Sequence, residues 1–116
     1  MTPKQFAQVI AEIESGGDPE AWGDHGRAMG AYQVRPAWLW EWAHTLGVAP
    51  PVGVDWDDWV RTVVEAFAGE MIQRTTPVRL AMYFHLGHPA IEQSDTWDKT
   101  YAAKFEAAAQ KLVIPL

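Results

Sequence analysis

Two acidic residues, Glu14 and Asp24, lie ten positions apart and have the chemistry needed for acid-catalysed bond cleavage. Glu14 follows Ile10 by four residues, in the last turn of a predicted helix, so its carboxyl lies on or beside an apolar face. Burial raises the pKa of a carboxyl, which suits a group that donates a proton to a leaving oxygen. Asp24 lies in a glycine-rich stretch, where we expect solvation to keep it ionised. Cleavage of a glycosidic bond requires this division of roles between two carboxylates.

Both acids also have a simpler interpretation. A glutamate at the end of an amphipathic helix is more often a solvated surface residue than a catalyst. An aspartate in Gly-Asp-His-Gly, as Asp24 is, forms a turn without any further role. Both interpretations of Asp24 stay open.

Side chains that can hold a sugar lie in and just after the same stretch. The phenol of Tyr32 and the amide of Gln33 can form hydrogen bonds to hydroxyl or N-acetyl groups, and Trp22 can stack on a sugar face. Three other tryptophans have the spacing of buried helix positions, namely Trp38, Trp42 and Trp59.

Three of the histidines could be considered as zinc ligands, but we predict no zinc site. His25, His85 and His88 with Asp24 match no familiar pattern of zinc ligands. A histidine of a loop or cleft is the simpler interpretation of His85, and we expect no metal and no cofactor.

The elements that position these residues begin with a helix over residues 3–14. Thr2 with Gln5 three positions later matches a capping box around a proline at the first helical position. Residues 15–30 hold five of the nine glycines and follow neither the helical nor the strand period, which predicts a long structured loop. Loops of this length in a small domain usually carry function. Residues 31–34 are predicted to form a short extended piece.

Pro36 opens a second predicted helix, which Gly47 ends. Asp55 is predicted to cap a third helix. Gly69, inside this helix, lowers its stability by about 1 kcal/mol relative to alanine unless another backbone packs closely against it. The core face of this third helix consists of Val60, Val63, Val64, Phe67 and Met71.

Thr76 and Pro77 begin a fourth predicted helix that runs to about Leu86, and Ser94 or Asp95 caps a fifth. The buried face of the fifth helix includes Trp97, Tyr101, Phe105 and Leu112. The fold class we predict is all-α, a small domain of about five helices with a glycine-rich active-site loop after the first.

Composition narrows the function classes. A chain of 116 residues predicts one domain, residues 1–116. Nine Lys and Arg against fifteen Asp and Glu give a net charge of −6 without a basic run, so we expect no nucleic-acid partner. No apolar run approaches the roughly 20 residues that span a bilayer, so we expect no membrane insertion.

Two neighbouring segments resemble a known superfamily. The chain resembles the lysozyme-like lytic transglycosylases, in which a helix ends in Glu-Ser-Gly and a Gly-x-x-Gln motif follows. Here the two motifs are Glu-Ser-Gly at residues 14–16 and Gly-Ala-Tyr-Gln at residues 30–33. The resemblance implies that Glu14 is the catalytic acid. It also implies that Gly30 and Gln33 line the cleft, and we place Ser15, Tyr32 and Trp22 among the substrate contacts. The same stretch is similar to invertebrate-type lysozymes, whose catalytic Asp matches Asp24 approximately.

A third segment, residues 81–89, resembles the Ala-x-Tyr-Asn-x-Gly segment that crosses the transglycosylase cleft. With Gly87 aligned, His85 stands where those enzymes have Asn, and Phe84 stands where they have Tyr. The resemblance therefore implies that His85 and Gly87 contact the substrate.

The resemblance implies an enzyme that cleaves the β-1,4 bond between N-acetylmuramic acid and N-acetylglucosamine in peptidoglycan. A lytic transglycosylase needs Glu14 alone, whereas a hydrolytic lysozyme would add Asp24. A non-catalytic wall-binding or structural lysozyme-like module is the third possibility. The N-terminus lacks a secretory signal. We therefore expect synthesis in the cytoplasm and action on the bacterial wall after delivery by a phage or release.

Overall fold

The computed structural model describes residues 1–23, 28–49, 55–86 and 99–116, and 66% of them are helical. Five α-helices lie in the described parts of the chain: α1 Pro3–Ser15, α2 Pro36–Leu46, α3 Trp56–Met71, α4 Pro77–Leu86 and α5 Lys99–Lys111. Two short strands, β1 Trp22–Gly23 and β2 Ala28–Met29, lie between α1 and α2. The chain is mostly helical, as predicted, and is compatible with a small all-α domain. No helix within the described ranges has the length and apolar character of a membrane span.

Helix α1 begins and ends through local hydrogen bonds that the sequence predicts. The Thr2 hydroxyl accepts from the Gln5 backbone N–H at 3.1 Å, and the Gln5 side chain accepts from the Thr2 N–H at 2.8 Å. The helix ends at Ser15, because Gly16 takes a left-handed conformation with φ 68°. Glu14 therefore lies in the last turn, as expected.

The starts of three further helices also match the prediction. Helix α2 starts at Pro36 and stops before Gly47, which is left-handed. The Asp55 side chain caps α3 by accepting from the Asp58 N–H at 2.8 Å, and the Thr76 hydroxyl accepts from the Arg79 N–H at 3.3 Å. The cap residues predicted for α5, Ser94 and Asp95, and its Trp97 lie outside the described residues.

The core lies where α1 packs against α3 and α5, with α2 on α3 and α4 on α5. The Phe6 ring contacts the rings of Phe67 and Phe105, with ring centroids 6.4 and 5.9 Å apart. All five residues of the predicted α3 core face are buried. Leu112 was predicted to be buried and is exposed, because α5 ends at Lys111 and the chain turns away there.

The glycine-rich stretch contains regular structure that the sequence did not indicate. Strands β1 and β2 pair antiparallel, with Trp22 opposite Met29. Residues 31–34 are not the predicted extended piece, because Gly30 and Gln33 have positive φ angles of 82° and 50° and reverse the chain. The turn closes through two 3.3 Å hydrogen bonds between the backbones of Met29 and Val34.

Replacement of Gly69 by alanine measures how much a glycine inside α3 lowers the stability of the protein. Among the described residues, a Cβ at this position would meet only the Pro3 side chain, at 4.0 Å, which is an ordinary contact. We expect Gly69→Ala to raise the free energy of unfolding by roughly 0.5–1 kcal/mol, since alanine loses less backbone entropy in a helix. Chemical denaturation of the two proteins measures the difference, and a less stable variant would contradict the prediction.

Candidate functional site

Glu14 is a half-buried carboxyl with a defined hydrogen-bond donor. The hydroxyl of Tyr101, on α5, donates to its Oε1 at 3.0 Å. Burial raises the pKa of Glu14, while the Tyr101 hydrogen bond and electrostatic interactions with His85 and Lys104 oppose part of that rise. The carboxyl is thus partly desolvated, as its helix position indicates.

Glu14 opens onto a pocket of about 200 Å³ between α1, the 30–33 turn, α2 and α4. Four residues singled out from the sequence meet in its lining, although they come from separate segments: Glu14, Tyr32, Gln33 and His85. The other described residues of its wall are Val34, Arg35, Trp38 and Phe84. An acidic group thus faces a cavity lined by aromatic, amide and imidazole groups, a combination suited to a polar ligand with apolar faces.

Tyr101 is one residue of this site that sequence reasoning missed, because its spacing indicated only that it lies on the buried face of α5. Its ring stacks on His85, with centroids 4.0 Å apart and planes 14° apart, while its hydroxyl reaches Glu14. Burial and the negative charge of Glu14 raise the pKa of Tyr101, so the phenol stays protonated and donates. One signal was available, since a buried tyrosine hydroxyl requires a partner.

Ser15 supports the site through the backbone. Its hydroxyl donates to the Ala31 carbonyl at 2.6 Å and accepts from the Asp18 N–H at 3.0 Å. Ser15 was predicted to contact the substrate; the structure places its hydroxyl between α1 and the turn. These bonds fix the position of Glu14 relative to residues 30–33.

Gln33 lines the pocket and also holds two neighbouring backbone segments together. Its side-chain amide donates to the Ala21 carbonyl at 3.0 Å and to the Gly30 carbonyl at 2.9 Å. Both amide hydrogens are therefore engaged within the protein, and the amide oxygen lies against Gly23 of β1.

Gly30 lies against the first turn of α3. The Trp56 indole donates to the Met29 carbonyl at 3.2 Å, and the Asp57 carboxylate accepts from the Ala31 N–H at 3.0 Å. A Cβ on Gly30 would lie 2.2 Å from Asp57 Oδ1, so only glycine fits. Burial raises the pKa of Asp57, and the Ala31 N–H opposes that rise. Sequence reasoning gave neither α3 residue this anchoring role.

The tryptophans divide between core and surface. Trp42 and Trp59 are buried, as predicted, whereas Trp38 is half-buried and lines the Glu14 pocket while stacking on Trp42 at 4.4 Å. Trp22 is 66% exposed and, with Gly30, borders a separate pocket next to α3. The structure therefore does not place Trp22 and Gly30 in the lining of the Glu14 pocket.

Two predicted site residues, Asp24 and Gly87, lie outside the described residues, as do His25 and His88 of the zinc hypothesis. Within the ranges that the structure does describe, no cluster of three or more His, Asp or Glu residues could hold a metal ion.

Comparisons of the chain with protein-family models, with curated proteins and with solved structures give no match. The Glu14 pocket and the motifs of the sequence are therefore the features that point to a function.

Proposed function

We propose that this chain is a lysozyme-like domain that cleaves the β-1,4 bond between N-acetylmuramic acid and N-acetylglucosamine in peptidoglycan, with Glu14 as general acid. The supporting observation is the Glu14 carboxyl itself. Burial raises its pKa, Tyr101 orients it, and it faces the same pocket as Tyr32, Gln33 and His85. The motif order in the sequence supports the choice of substrate.

The Tyr101 hydrogen bond assigns different roles to the two oxygens of Glu14. Because Oε1 accepts from the phenol, the proton of the neutral acid belongs on Oε2. In the proposed reaction that proton moves to the glycosidic oxygen while the bond from this oxygen to C1 of the muramic acid breaks. The phenol then stabilises the carboxylate that remains.

The step that follows bond cleavage distinguishes a lytic transglycosylase from a hydrolase, and we propose the transglycosylase because Glu14 alone can complete its reaction. Among the described residues that line the pocket, Glu14 provides the only carboxyl group. A transglycosylase needs no more, since the Glu14 carboxylate takes the proton of the sugar's C6 hydroxyl and the C6 oxygen bonds to C1. A hydrolytic lysozyme would need a second carboxylate to handle water, and Asp24 is the candidate for that role.

Purified peptidoglycan with a covalently attached dye tests the proposal. We expect the wild-type protein to release soluble dye-labelled fragments in proportion to time and enzyme concentration. A folded protein that sediments with the wall without releasing dye would instead support a non-catalytic wall-binding module. A folded protein that neither binds nor cleaves the wall would contradict both functions.

Tyr101→Phe should change both the rate and the pH dependence of cleavage. Loss of a hydrogen bond to the developing carboxylate is expected to lower the maximal rate about tenfold. The phenol lowers the pKa of Glu14, so its removal raises that pKa and keeps the acid protonated to higher pH. The alkaline limb of the pH–rate profile should therefore move to higher pH.

Tyr83→Phe is the matched control, because Tyr83 is a buried tyrosine on α4 that does not line the Glu14 pocket. We expect its pH–rate profile to follow the wild type. An unchanged alkaline limb in Tyr101→Phe, or an equal displacement in both variants, would rule out the role given to Tyr101.

A further inference from the structure

A second pocket, of about 170 Å³, lies between the paired strands β1 and β2 and the first turn of α3. Its wall includes the indoles of Trp22 and Trp56 and the carboxyl groups of Asp55 and Asp57, and we call it the indole pocket. At roughly 30 Å³ for each water molecule, its volume corresponds to about six water-sized groups. The pocket therefore suits a compact ligand group.

The two indoles form aromatic walls of different mobility. Trp56 donates its indole N–H to the Met29 carbonyl at 3.2 Å and packs edge-on against Trp59, with ring centroids 6.3 Å apart. Its side-chain donor is thus engaged, so this fixed ring offers a ligand its π system. Trp22 lies opposite Met29 in the strand pair, and 66% of its surface is exposed.

Negative charge accumulates beside these indoles. Burial raises the pKa of Asp57, and the Ala31 N–H opposes part of that rise. The neighbouring carboxylates of Asp55, Asp58 and Asp18 raise the same pKa further, because like charges disfavour ionisation. A cation placed next to Asp57 would relieve this repulsion.

The two carboxylates of the pocket wall have no counterion in the segments that the structure describes. Asp58 pairs with Arg61 at 3.3 Å, but no lysine or arginine of those segments lies within ion-pair distance of Asp55 or Asp57. Asp55 accepts from the Asp58 N–H, and both oxygens of Asp57 lie close to the Ala31 N–H, at 3.0 and 3.3 Å. Backbone groups therefore hold both carboxylates in place without neutralising their charge.

Indole faces next to carboxylates are a combination that binds an organic cation. The π system of tryptophan attracts a cation above its face, and aromatic walls of this kind recognise quaternary ammonium groups. Such a group has no hydrogen to donate and is covered by methyl groups, which matches a wall that also includes Pro19, Ala21 and Met29. A primary ammonium is strongly hydrated and has three hydrogens to satisfy, so it fits this wall less well.

We propose that the indole pocket binds a small quaternary ammonium compound of the choline type, with its methyl groups against the two indoles and its charge facing Asp55 and Asp57. The inference goes beyond the proposed function and does not rest on it, because the described residues that line this pocket are not those that line the Glu14 pocket. It predicts that the pocket selects for positive charge at constant shape.

Titration calorimetry with choline chloride tests the inference, with sodium chloride adjusted to keep the ionic strength constant. We expect saturable binding to one site per chain. The neutral isostere of choline, a dimethylbutanol in which a tert-butyl group replaces the trimethylammonium group, should bind at least about tenfold more weakly, since it lacks the charge. Phosphocholine should also bind more weakly than choline, because the carboxylates repel its phosphate.

Substitutions in the pocket wall test which residues hold the cation. Trp22→Ala should weaken choline binding about tenfold, and Trp22→Phe should recover part of that loss because it keeps an aromatic face. Asp55→Asn should weaken binding about threefold through the lost charge, while asparagine still caps α3. Trp40→Ala and Asp58→Asn are the matched controls outside the indole pocket, and both should keep the affinity within about twofold.

Equal affinity for choline and its neutral isostere, no saturable binding of choline, or equal losses in Trp22→Ala and Trp40→Ala would each overturn the inference. Glu14→Gln should bind choline as the wild type does. Wall cleavage without choline binding would refute the cation site alone. Choline binding that depends on Trp22, in a chain that cleaves no wall, would refute the proposed function and support the cation site.

Discussion

Glu14→Gln is expected to reduce fragment release from peptidoglycan by roughly a hundredfold to ten-thousandfold, the contribution typical of a general acid. The amide has nearly the shape of the carboxyl, and its oxygen still accepts from the Tyr101 hydroxyl. The variant lacks only the proton that the reaction transfers. Initial rates of dye release at equal protein concentration measure the loss.

The same variant should remain folded, and its stability should depend less on pH. The folded-state pKa of Glu14 is raised above its ordinary value of 4.5, so the folded protein holds this proton more tightly than the unfolded chain does. The contribution of Glu14 to stability is therefore largest below pH 4.5 and falls as the pH rises through the folded-state pKa. Glu14→Gln removes that decline, and we expect its thermal midpoint at neutral pH to equal or exceed that of the wild type.

Glu106→Gln is the matched control, because Glu106 is an exposed acid on α5 outside the Glu14 pocket. It should keep wild-type activity. If Glu14→Gln cleaves the wall at the rate of this control, Glu14 is not the general acid and the proposed mechanism is wrong.

Gly30→Ala is expected to cause the largest loss of stability, about 3 kcal/mol, with a fall of roughly 10 °C in the thermal midpoint. The φ angle of 82° is unfavourable for alanine, and the new Cβ would lie 2.2 Å from Asp57 Oδ1 and 3.0 Å from the Trp56 ring. Relief requires movement of the two side chains that anchor the turn. Thermal and chemical denaturation measure the loss.

Gly47→Ala separates the two causes of that loss. Gly47 also has a positive φ angle, 69°, but a Cβ there would meet no atom of the described residues within 4 Å. We expect Gly47→Ala to lower the free energy of unfolding by only about 1 kcal/mol, which is the strain of the left-handed conformation alone. Equal losses in the two variants would show that the close approach of Asp57 and Trp56 to Gly30 contributes nothing.

Sequence reasoning succeeded where structure is determined by nearby residues. The Thr2 capping box, the proline at the start of α2, the left-handed Gly47 and the Asp55 cap each depend on contacts within about one helical turn. These signals place the helix ends, and the left-handed Gly16 in the same way places Glu14 in the final turn of α1.

The parts of the site that the sequence could not supply depend on distant contacts. Tyr101 meets Glu14 across 87 residues of sequence, and the helical period gives only its burial, not its partner. The turn at residues 30–33 likewise depends on Trp56 and Asp57, 26 or 27 residues further on. No local pattern at Gly30 indicates that α3 would hold the turn in place.

Mass spectrometry of the soluble muropeptides released from purified peptidoglycan tests the central claim most directly. We predict products from the wild type that end in 1,6-anhydro-muramic acid and are absent with Glu14→Gln, because one carboxyl then serves as both acid and base. Products with reducing ends would contradict the transglycosylase mechanism and make Asp24 the next residue to replace. Equal products from both proteins would contradict catalysis by Glu14.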